Sequence, residues 1–491
     1  MFDWSSLIDE DALRSVVPDC YAHFLKPISG ALAVFLGGLP PPRQAAILAA
    51  QAALPADAPA AQRVATLARS CPALHKLGQV LARDIRLSAD LRVHLQELES
   101  LPPAVPFKVI QDRLLREIGP LDRAGVTLLP PAVAEASVAV VVAYRDDRAP
   151  EGAPHRHGVF KLLKPGVVEH LAQDLDMLER VGSYLDQRCD EFKLPHLDYQ
   201  ESFQQVRDKL RHEIRFDLEQ RHLTAARQIY RDDPRVHVPA LFERCTPRLT
   251  AMERLSGGKI TDRLPPTAAE RRRLARVLIE ALLARPFFLR SNQAIFHGDP
   301  HAGNLFLTAE GRVGILDWSL AYTLEEQERV TVVQMLLGAV TLHAERIIAS
   351  LLGLVRRGRV DRPALDAVVH AWLARVRGGQ FPGFAWLTGM LDEAVQRARL
   401  GVGGELMVFR KTLHTLEGVL ADLGADVSPD RVLIGEFVRQ LVTEWPVRWL
   451  APPASRAFAT RLSNADLLGV LLSLPCAAAR LWLDRVGLQP A

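Results

Sequence analysis

Two short segments in the middle of the chain carry the residues best suited to chemistry. The segment HGDPHAGN contains Asp299 and Asn304 five positions apart, and the segment GILDW, a short way on, contains Asp317. Because a turn at TAEG separates two apolar runs here, we expect a loop and then a β-hairpin that returns Asp317 beside Asn304. An amide oxygen and a carboxylate brought together can hold Mg²⁺, which shares its shell with water and phosphate oxygens.

Asp299 is left free of the metal in this arrangement. It would accept or orient the proton of an attacking hydroxyl, which is the division of labour in phosphoryl transfer by kinase-like enzymes. The competing interpretation is a polar loop whose Asp and Asn side chains cap turns. Three such residues at these spacings, with a strand between them, favour the chemical interpretation. We give His297, in the same segment, a structural hydrogen bond and no catalytic role.

Transfer of phosphate from ATP also needs a lysine on a strand and a helical carboxylate to orient it. Lys161 lies in the apolar strand pattern GVFKLLK, where a lone charge needs a partner. The segment LRHEIRFDLEQR is expected to form one helix. Glu213 and Asp217 would share a face of it, with Glu219 about 120° away, so that one helix serves two cations. The alternative is a solvated face with pairing between successive turns.

The loop that would cover the phosphates is rich in alanine. The segment before Lys161 reads PAVAEASVAV and contains no G-x-G-x-x-G. Since a Cβ atom limits the approach of the backbone to phosphate, nucleotide would be held differently from an ordinary kinase. The segment LTAMERL would supply the strand and hinge that face adenine. The predicted ATP-binding residues are Lys161, Glu219, Ala134, Ala136, Ser137, Glu253 and Leu255.

The remaining pattern indicates an α+β protein. Apolar residues at helical spacing predict three helices between residues 62 and 118, and two strands follow around a turn-rich loop. Two long helices are expected at about 168–188 and 202–231, and beyond residue 323 the pattern is helical almost to the end. The predicted divisions are an N-terminal helical segment with an Ala/Pro-rich linker (1–61), a helical extension (62–118), a small mixed lobe (119–255) and a helical lobe (256–491).

Composition narrows the class of protein. The 491 residues carry 60 Lys and Arg against 57 Asp and Glu, so no basic stripe for nucleic acid is indicated. Five cysteines lie far apart, without zinc or disulfide spacing, and the acidic N-terminus does not resemble a signal peptide. We therefore predict a cytoplasmic protein with no transmembrane helix. The apolar stretches at 28–39 and 467–479 are expected to pack inside, with a membrane surface as the alternative.

Several motifs together resemble the UbiB/AarF atypical kinase-like family, which supports biosynthesis of coenzyme Q and related isoprenoid lipids. The resemblance covers about residues 62–325 and rests most specifically on KLGQ. The other motifs that carry it are the Ala-rich loop, KLLKPG, LTAMERLSGGKITD, HGDPHAGN and ILDW. It implies a two-lobe protein-kinase-like fold with an N-terminal KxGQ helical extension and a mostly helical C-terminal region.

The resemblance also implies roles for individual residues. Lys76 and Gln79 would lie on a helix that folds over the nucleotide site and gates it, with Lys76 paired to Glu213 and Lys161 paired to Glu219. ATP and Mg²⁺ would be the cofactors. Such a site favours ATP hydrolysis or phosphorylation of a small or lipid target over a protein. The implied partners are a lipid or quinone precursor, lipid-biosynthesis enzymes and the inner face of the membrane, contacted peripherally.

The chain departs from the family pattern at three motif positions, and the two C-terminal membrane-spanning helices of many bacterial members are not evident in the sequence. Arg215 replaces the Asp of the family's E-x-D motif, so Lys76 is expected to use Glu213 alone or with Asp217. Ser319 replaces the Gly of Asp-Phe-Gly, which would stiffen the segment after the metal ligand. Val140 stands where the family usually has Gln.

Two other functions fit some of the same residues. The pattern HGDxxxxN with I-x-D-W is also similar to the aminoglycoside and choline phosphotransferases, which phosphorylate a small alcohol. The KLGQ helix and the KPG after Lys161 distinguish the UbiB-like interpretation from that one. A nucleotide-binding scaffold without turnover is the third interpretation, suggested by Arg215 and Ser319.

Overall fold

The computed structural model describes residues 4, 8, 10–81, 87–99, 105–194, 199–355, 360–401 and 404–485. The chain divides into two compact units. The first comprises Met1–Thr224 and Pro239–Leu255, and the second comprises Ala225–Val238 and Ser256–Ala491. The finer division into four segments stays a prediction.

The first unit contains twelve described helices and four strands, the last helix ending in the second unit. They are α1 (Glu10–Val16), α2 (Leu25–Gly37), α3 (Pro41–Ala52), α4 (Ala60–Ser70), α5 (Pro72–Leu81), α6 (Ala89–Gln96), α7 (Phe107–Ile118), α8 (Leu121–Ala124), β1 (Val126–Glu135), β2 (Ala139–Asp146), β3 (His157–Leu163), α9 (Val167–Gln187), α10 (Cys189–Phe192), α11 (Tyr199–Glu213), α12 (Phe216–Tyr230) and β5 (Leu249–Glu253).

The second unit contains six short strands and the remaining helices. They are β4 (Val236–His237), β6 (Gly257–Lys259), α13 (Ala268–Ile279), α14 (Arg285–Phe288), β7 (Gln293–His297), β8 (Leu305–Thr308), β9 (Val313–Ile315), β10 (Ala321–Glu325), α15 (Glu326–Val340), α16 (Ala344–Gly353), α17 (Arg362–Arg377), α18 (Phe384–Ala398), α19 (Gly404–Asp422), α20 (Pro429–Arg448) and α21 (Asn464–Arg485).

The helices before the sheet are shorter than the sequence pattern predicts. The stretch interpreted as one helix around KLGQ is two helices, because Pro72 begins α5 and forces the preceding Cys71 into an extended conformation. The apolar stretch at 28–39 packs inside as expected, with Phe35 and Leu36 buried against Leu175 of α9.

The sheet of the first unit has the strand order β1-β2-β3-β5, and all of its pairings are antiparallel. The predicted hairpin is present as β2 and β3. Its partner β1 was not expected, because the segment LPPAVAE contains two prolines. An edge strand tolerates proline, since one side of its backbone is not paired. The register of β1 against β2 shifts between Leu129 and Ala134.

Alternation along β3 gives the sheet two different faces. Phe160 and Leu162 pack with Ile110 and Leu114 of α7 in one apolar core. Lys161 points to the opposite face, as the two-residue period predicts. A hydrophobic cluster that includes Leu163 and Phe216 lies on that face.

The prediction of a single helix over residues 202–231 is wrong. The structure contains α11 and α12, with residues 214–215 between them in a turn. Glu213 is the last residue of α11, whereas Asp217 and Glu219 lie in the first turn of α12. The idea that one helix serves two cations is therefore replaced by two helices that serve one cation each.

The second unit has a four-stranded sheet with the order β4-β9-β8-β6 and a separate pair, β10 with β7. Beyond β10 the chain is helical, as predicted. In the part of the chain that the structure describes, no helix is long and apolar enough to cross a membrane. The expectation that the apolar stretch at 467–479 packs inside is wrong for its described side chains, since Leu468, Leu471 and Leu472 of α21 are exposed.

Candidate functional site

The Lys161 side chain forms a buried ion pair with Glu219. The Nζ atom lies 2.7 Å from Glu219 Oε1, and the two side chains are 9% and 4% exposed. Nζ also lies 5.4 Å from the centre of the Phe216 ring, which gives the cation a second favourable contact. Removal of one member of a buried pair strands the other charge, so this pair fixes Lys161 toward the face of the sheet where α12 begins.

The next residue of α12 ties the same helix to strand β5. Gln220 Nε2 donates hydrogen bonds to the Thr246 and Leu249 carbonyls and to Thr250 Oγ1, at 3.0 to 3.1 Å. Thr250 is the registered neighbour of Lys161 across β3 and β5. The position of Glu219 is therefore set by the hydrogen bonds of Gln220 as well as by its own ion pair with Lys161.

A second ion pair joins α5 to α11. Lys76 Nζ lies 2.9 Å from Glu213 Oε1, and the carboxylate is largely buried. Gln79, one turn further along α5, donates from Nε2 to the Leu98 carbonyl at 3.0 Å. The structure thus brings Lys76 and Glu213 together in the pairing that the resemblance implies.

Arg215 does not stand in for the missing Asp of the E-x-D motif. Its guanidinium forms two bonds of 2.8 Å with the Asp217 carboxylate, and this contact lowers the pKa of Asp217. Asp217 is therefore paired with a cation two residues before it in sequence. The suggestion that Lys76 uses Asp217 is not supported by the observed pairs.

The Ala-rich segment is a strand end and a tight turn rather than a long loop. Ala134 lies in β1 and is exposed, and Ala136 and Ser137 lie in the turn to β2. The turn is closed by a hydrogen bond of 2.8 Å from the Ala136 N–H to the Ala139 carbonyl.

Sequence reasoning missed a third ion pair that holds this turn. Lys164 Nζ lies 2.7 Å from Glu135 Oε1, and the Lys164 N–H donates to the Val138 carbonyl at 2.9 Å. Glu135 Oε2 accepts from the Val105 N–H at 3.1 Å. The KxxK spacing in KLLKPG was the available signal for this pair. It places Lys161 inside β3 and Lys164 directly after the end of the same strand.

The predicted hinge residues lie at the end of β5. The Glu253 N–H donates to the Ala240 carbonyl, and Glu253 Oε2 accepts from the Ala240 N–H. Leu255 is half-buried and is the last residue of the first unit. The Glu253 side chain thus holds the segment around residue 240.

In the second unit, the HGDPHAGN loop is held by His297 and Gly298. His297 Nδ1 accepts from the Asp299 N–H at 3.2 Å, and Nε2 lies 2.9 Å from the Leu316 carbonyl, so Nε2 carries the proton. Burial lowers the pKa of His297, which keeps the ring neutral. A Cβ atom on Gly298 would lie 2.6 Å from the Leu320 carbonyl oxygen, so only glycine fits. His297 has the structural role that we predicted.

The β-hairpin that follows brings Asn304 and Asp317 together as the spacing predicts. Leu305 pairs with Ile315 between β8 and β9, and the Leu316 N–H donates to the Asn304 carbonyl at 2.8 Å. Asp317 adopts a left-handed conformation with φ of 52°, which Asp tolerates better than most residues. Its Oδ1 accepts from the Ser319 N–H at 3.2 Å, inside a short 3₁₀ turn.

The side-chain oxygen atoms of Asn304 and Asp317 are of the kind that Mg²⁺ prefers as ligands. Asn304 Nδ2 donates to the Asp299 carbonyl at 3.0 Å, which directs the amide oxygen the other way, and Asp317 supplies a carboxylate. Within the described ranges, no group of three or more His, Cys, Asp or Glu is arranged to hold a metal ion. Two protein oxygens suffice for Mg²⁺ when water and phosphate complete its shell.

Ser319 has no positive φ, so the missing glycine causes no backbone strain there.

Sequence reasoning also missed the partner of Asp299. Lys411 of α19 places Nζ 3.1 Å from Asp299 Oδ1, and the lysine side chain is 44% exposed. On the same helix, Thr412 Oγ1 donates to the His297 carbonyl at 3.2 Å. No local pattern around Lys411 signals this contact, because 112 residues separate it from Asp299.

The predicted site residues thus form two groups. The first unit holds Lys161 with Glu219, Lys76 with Glu213, and the Ala-rich turn. The second unit holds Asp299, Asn304 and Asp317, to which the structure adds Lys411. Their roles toward a nucleotide stay predictions.

Comparison with known proteins identifies the domain. Residues 127–351 match the sequence profile of the ABC1 atypical kinase-like domain. The chain is 24% identical over 383 residues to "Protein ACTIVITY OF BC1 COMPLEX KINASE 1, chloroplastic" from Arabidopsis thaliana, covering 76% of this chain and 54% of that protein. It is 25% identical over 391 residues to "Probable protein kinase UbiB" from Pseudomonas putida, covering 73% of this chain and 66% of that protein.

A solved structure, that of Rv3197 with erythromycin from Mycobacterium tuberculosis, aligns with a TM-score of 0.49 and 21% identity, covering 67% of this chain and 82% of that chain. The chain spans about half the length of the chloroplast relative. The family match confirms the predicted resemblance and the kinase-like fold class. Residues 127–351 are therefore similar in sequence to the ABC1 atypical kinase-like domain.

Proposed function

We propose that the chain is an ATP-binding atypical kinase or ATPase that uses Mg²⁺ and supports the biosynthesis of an isoprenoid, ubiquinone-type lipid. The observation that carries the proposal is the hairpin that places Asp317 beside Asn304, directly after the loop that presents Asp299. This arrangement supplies two oxygen ligands and a separate carboxylate, as Mg²⁺-dependent phosphoryl transfer requires.

Each group has a defined task in this proposal. Lys161, oriented by Glu219, contacts the α- and β-phosphates, and backbone groups of Ala134, Ala136, Ser137, Glu253 and Leu255 contact the rest of the nucleotide. Asn304 and Asp317 hold the metal ion, which neutralises charge on the phosphate oxygens when it is bound. Asp299 orients water or an acceptor hydroxyl. Lys76 and Gln79 hold the helix that gates access.

A peripheral contact with a membrane belongs to the same proposal. Trp449 and Leu450, at the end of α20, are 76% and 90% exposed, and Trp445 packs edge-to-face on Trp449. Exposed tryptophan beside aliphatic residues suits the interface between lipid head groups and acyl chains. A lipid or quinone precursor and lipid-biosynthesis enzymes are the proposed partners.

The test is Mg²⁺-dependent release of phosphate from ATP by the purified chain, with and without liposomes that carry an isoprenoid quinone precursor. Asp317→Asn and Lys161→Ala should abolish release, whereas Asp112→Asn, on the exposed side of α7, should not change it. Nucleotide binding is measured in parallel by titration calorimetry. Binding without turnover under all conditions would contradict an enzyme and favour the scaffold.

A further inference from the structure

A large apolar cavity lies among the N-terminal helices of the first unit. Its volume is about 960 Å³, at the upper end of the range of about 300–1,000 Å³ that is usual for ligand pockets. Its lining is almost wholly aliphatic and aromatic, with contributions from α1 to α6. Representative lining residues are Ile28, Leu32, Leu48, Val64, Leu74 and Leu77.

The helix that carries Lys76 forms one wall of this cavity. Lys76 and Gln79 are three residues apart and share one face of α5. Leu74, Leu77 and Leu81 recur at three- and four-residue spacing, which places them on the opposite face, where they line the cavity. One helix therefore presents an ion pair on one side and an apolar wall on the other.

Polar groups at the cavity come from Gln51 of α3, Arg63 of α4 and the hydroxyl of Tyr21. Gln51 of α3 donates from Nε2 to the Arg63 carbonyl at 3.0 Å, and Arg63 Nη2 donates to the Pro55 and Ala56 carbonyls at 3.1 Å. Both side chains are among the lining residues. A molecule with a long apolar part and one polar or anionic end matches this distribution.

We propose that the cavity binds the hydrocarbon chain of one lipid molecule, with its polar end toward Gln51 and Arg63. A space with apolar walls gives water too few hydrogen-bond partners and is filled favourably by an apolar molecule. A bound hydrocarbon chain contacts the apolar face of α5, on the side opposite Lys76. This contact stabilises α5 in the position that pairs Lys76 with Glu213. Any effect of this on turnover rests on the function proposed above.

Binding of dansyl-labelled undecanoic acid to the 491-residue chain is tested by fluorescence titration. We expect saturable binding, weakened at least tenfold by Val64→Phe, which fills the cavity. Val93→Phe, at an exposed position of α6 outside the lining, is the matched control and should bind as the unchanged chain does. If Val64→Phe does not fold, Leu77→Gln at the half-exposed wall replaces it.

Displacement of the probe separates the two sources of such a chain. An unlabelled isoprenoid alcohol and an unlabelled fatty acid are compared, and displacement by either supports the proposal. Non-saturable binding, or equal affinity in the filled variant, would overturn it. A stable dimer by light scattering that lipid does not dissociate, with no probe binding, would also overturn it, because a second copy would then cover the cavity.

Hydrogen exchange tests the coupling to α5 without any need for turnover. Amides within residues 72–81 should exchange more slowly when the fatty-acid probe is bound, and the Lys76→Met variant should lose part of that protection. Unchanged exchange despite saturable binding would overturn the coupling. Because neither readout uses ATP, failure of the proposed kinase function would leave this result interpretable.

Discussion

Lys411 Nζ lies 3.1 Å from Asp299 Oδ1, so a helix far along the chain supplies a cation to the carboxylate of the HGD motif. The contact lies in the second unit and is partly exposed, which makes its contribution to stability small, about 0–1 kcal/mol. In the proposed function, this lysine would instead balance charge that develops on the transferred phosphate.

We expect Lys411→Met to lower the rate of phosphate release about 100- to 1,000-fold, as loss of one preorganised donor does in other enzymes. Lys411→Arg should retain more activity because the charge remains. Lys108→Met, at an exposed lysine of α7, serves as the control. Steady-state kinetics with saturating ATP measure the effect, and an unchanged rate in Lys411→Met would show that the ion pair has no part in the reaction.

The pair of Lys161 and Glu219 should be coupled strongly in stability. Lys161→Met leaves a buried carboxylate without its cation, at a cost of about 3–5 kcal/mol. The double variant with Glu219→Gln should recover much of that loss. Urea denaturation of the four members of the cycle measures the coupling. In the exposed pair of Arg69 and Glu97, Arg69→Met should cost about 0–1 kcal/mol, and a similar small cost at Lys161 would contradict the prediction.

Stability of the first unit should fall in mild acid because of His75. This side chain is 2% exposed, and burial lowers its pKa to about 4, with Lys164, Lys76 and Arg69 adding smaller effects in the same direction. Between pH 6.5 and 4 the unfolded chain takes up a proton that the folded chain does not. The free energy of unfolding should therefore decrease by about 3 kcal/mol as pH falls through this window.

Denaturant titrations from pH 7 to pH 4 measure this dependence. His75→Gln keeps a donor for the Leu98 carbonyl, which lies 2.9 Å from His75 Nε2, and should flatten the curve. Replacement of the exposed His370 by Gln should not. An equal slope in the His75→Gln chain would show that other groups cause the acid sensitivity.

The end of α20 should contribute to membrane contact. The double variant Trp449→Ser and Leu450→Ser removes two exposed apolar side chains, and each is worth about 1.5–3 kcal/mol when buried fully. We expect at least a tenfold loss in co-sedimentation with anionic vesicles. Phe381→Ser, at another exposed apolar residue, should bind vesicles normally. Equal loss in both variants would indicate nonspecific adhesion.

Local sequence was sufficient wherever a feature depends on neighbouring residues. The hairpin that returns Asp317 to Asn304 follows from a turn between two short apolar runs. The direction of Lys161 follows from the two-residue period of a strand. The family resemblance rested on motifs of this kind.

Features that depend on the rest of the fold could not be predicted from local sequence. The prolines of β1 were interpreted as a loop, because only the position of β1 at the sheet edge makes them acceptable. The break between α11 and α12 was missed because the helical pattern continues through it, although tertiary contacts assign Glu213 and Glu219 to different lysines.

Ion pairs between residues far apart in sequence show most clearly what local sequence cannot predict. Lys411 meets Asp299, and Lys164 meets Glu135, only because helices and strands pack in a particular way. Residue types and spacing determined which groups could perform chemistry in this protein. Which charge each group meets was decided by tertiary structure, since the burial and proximity that couple two charges are properties of the packed chain.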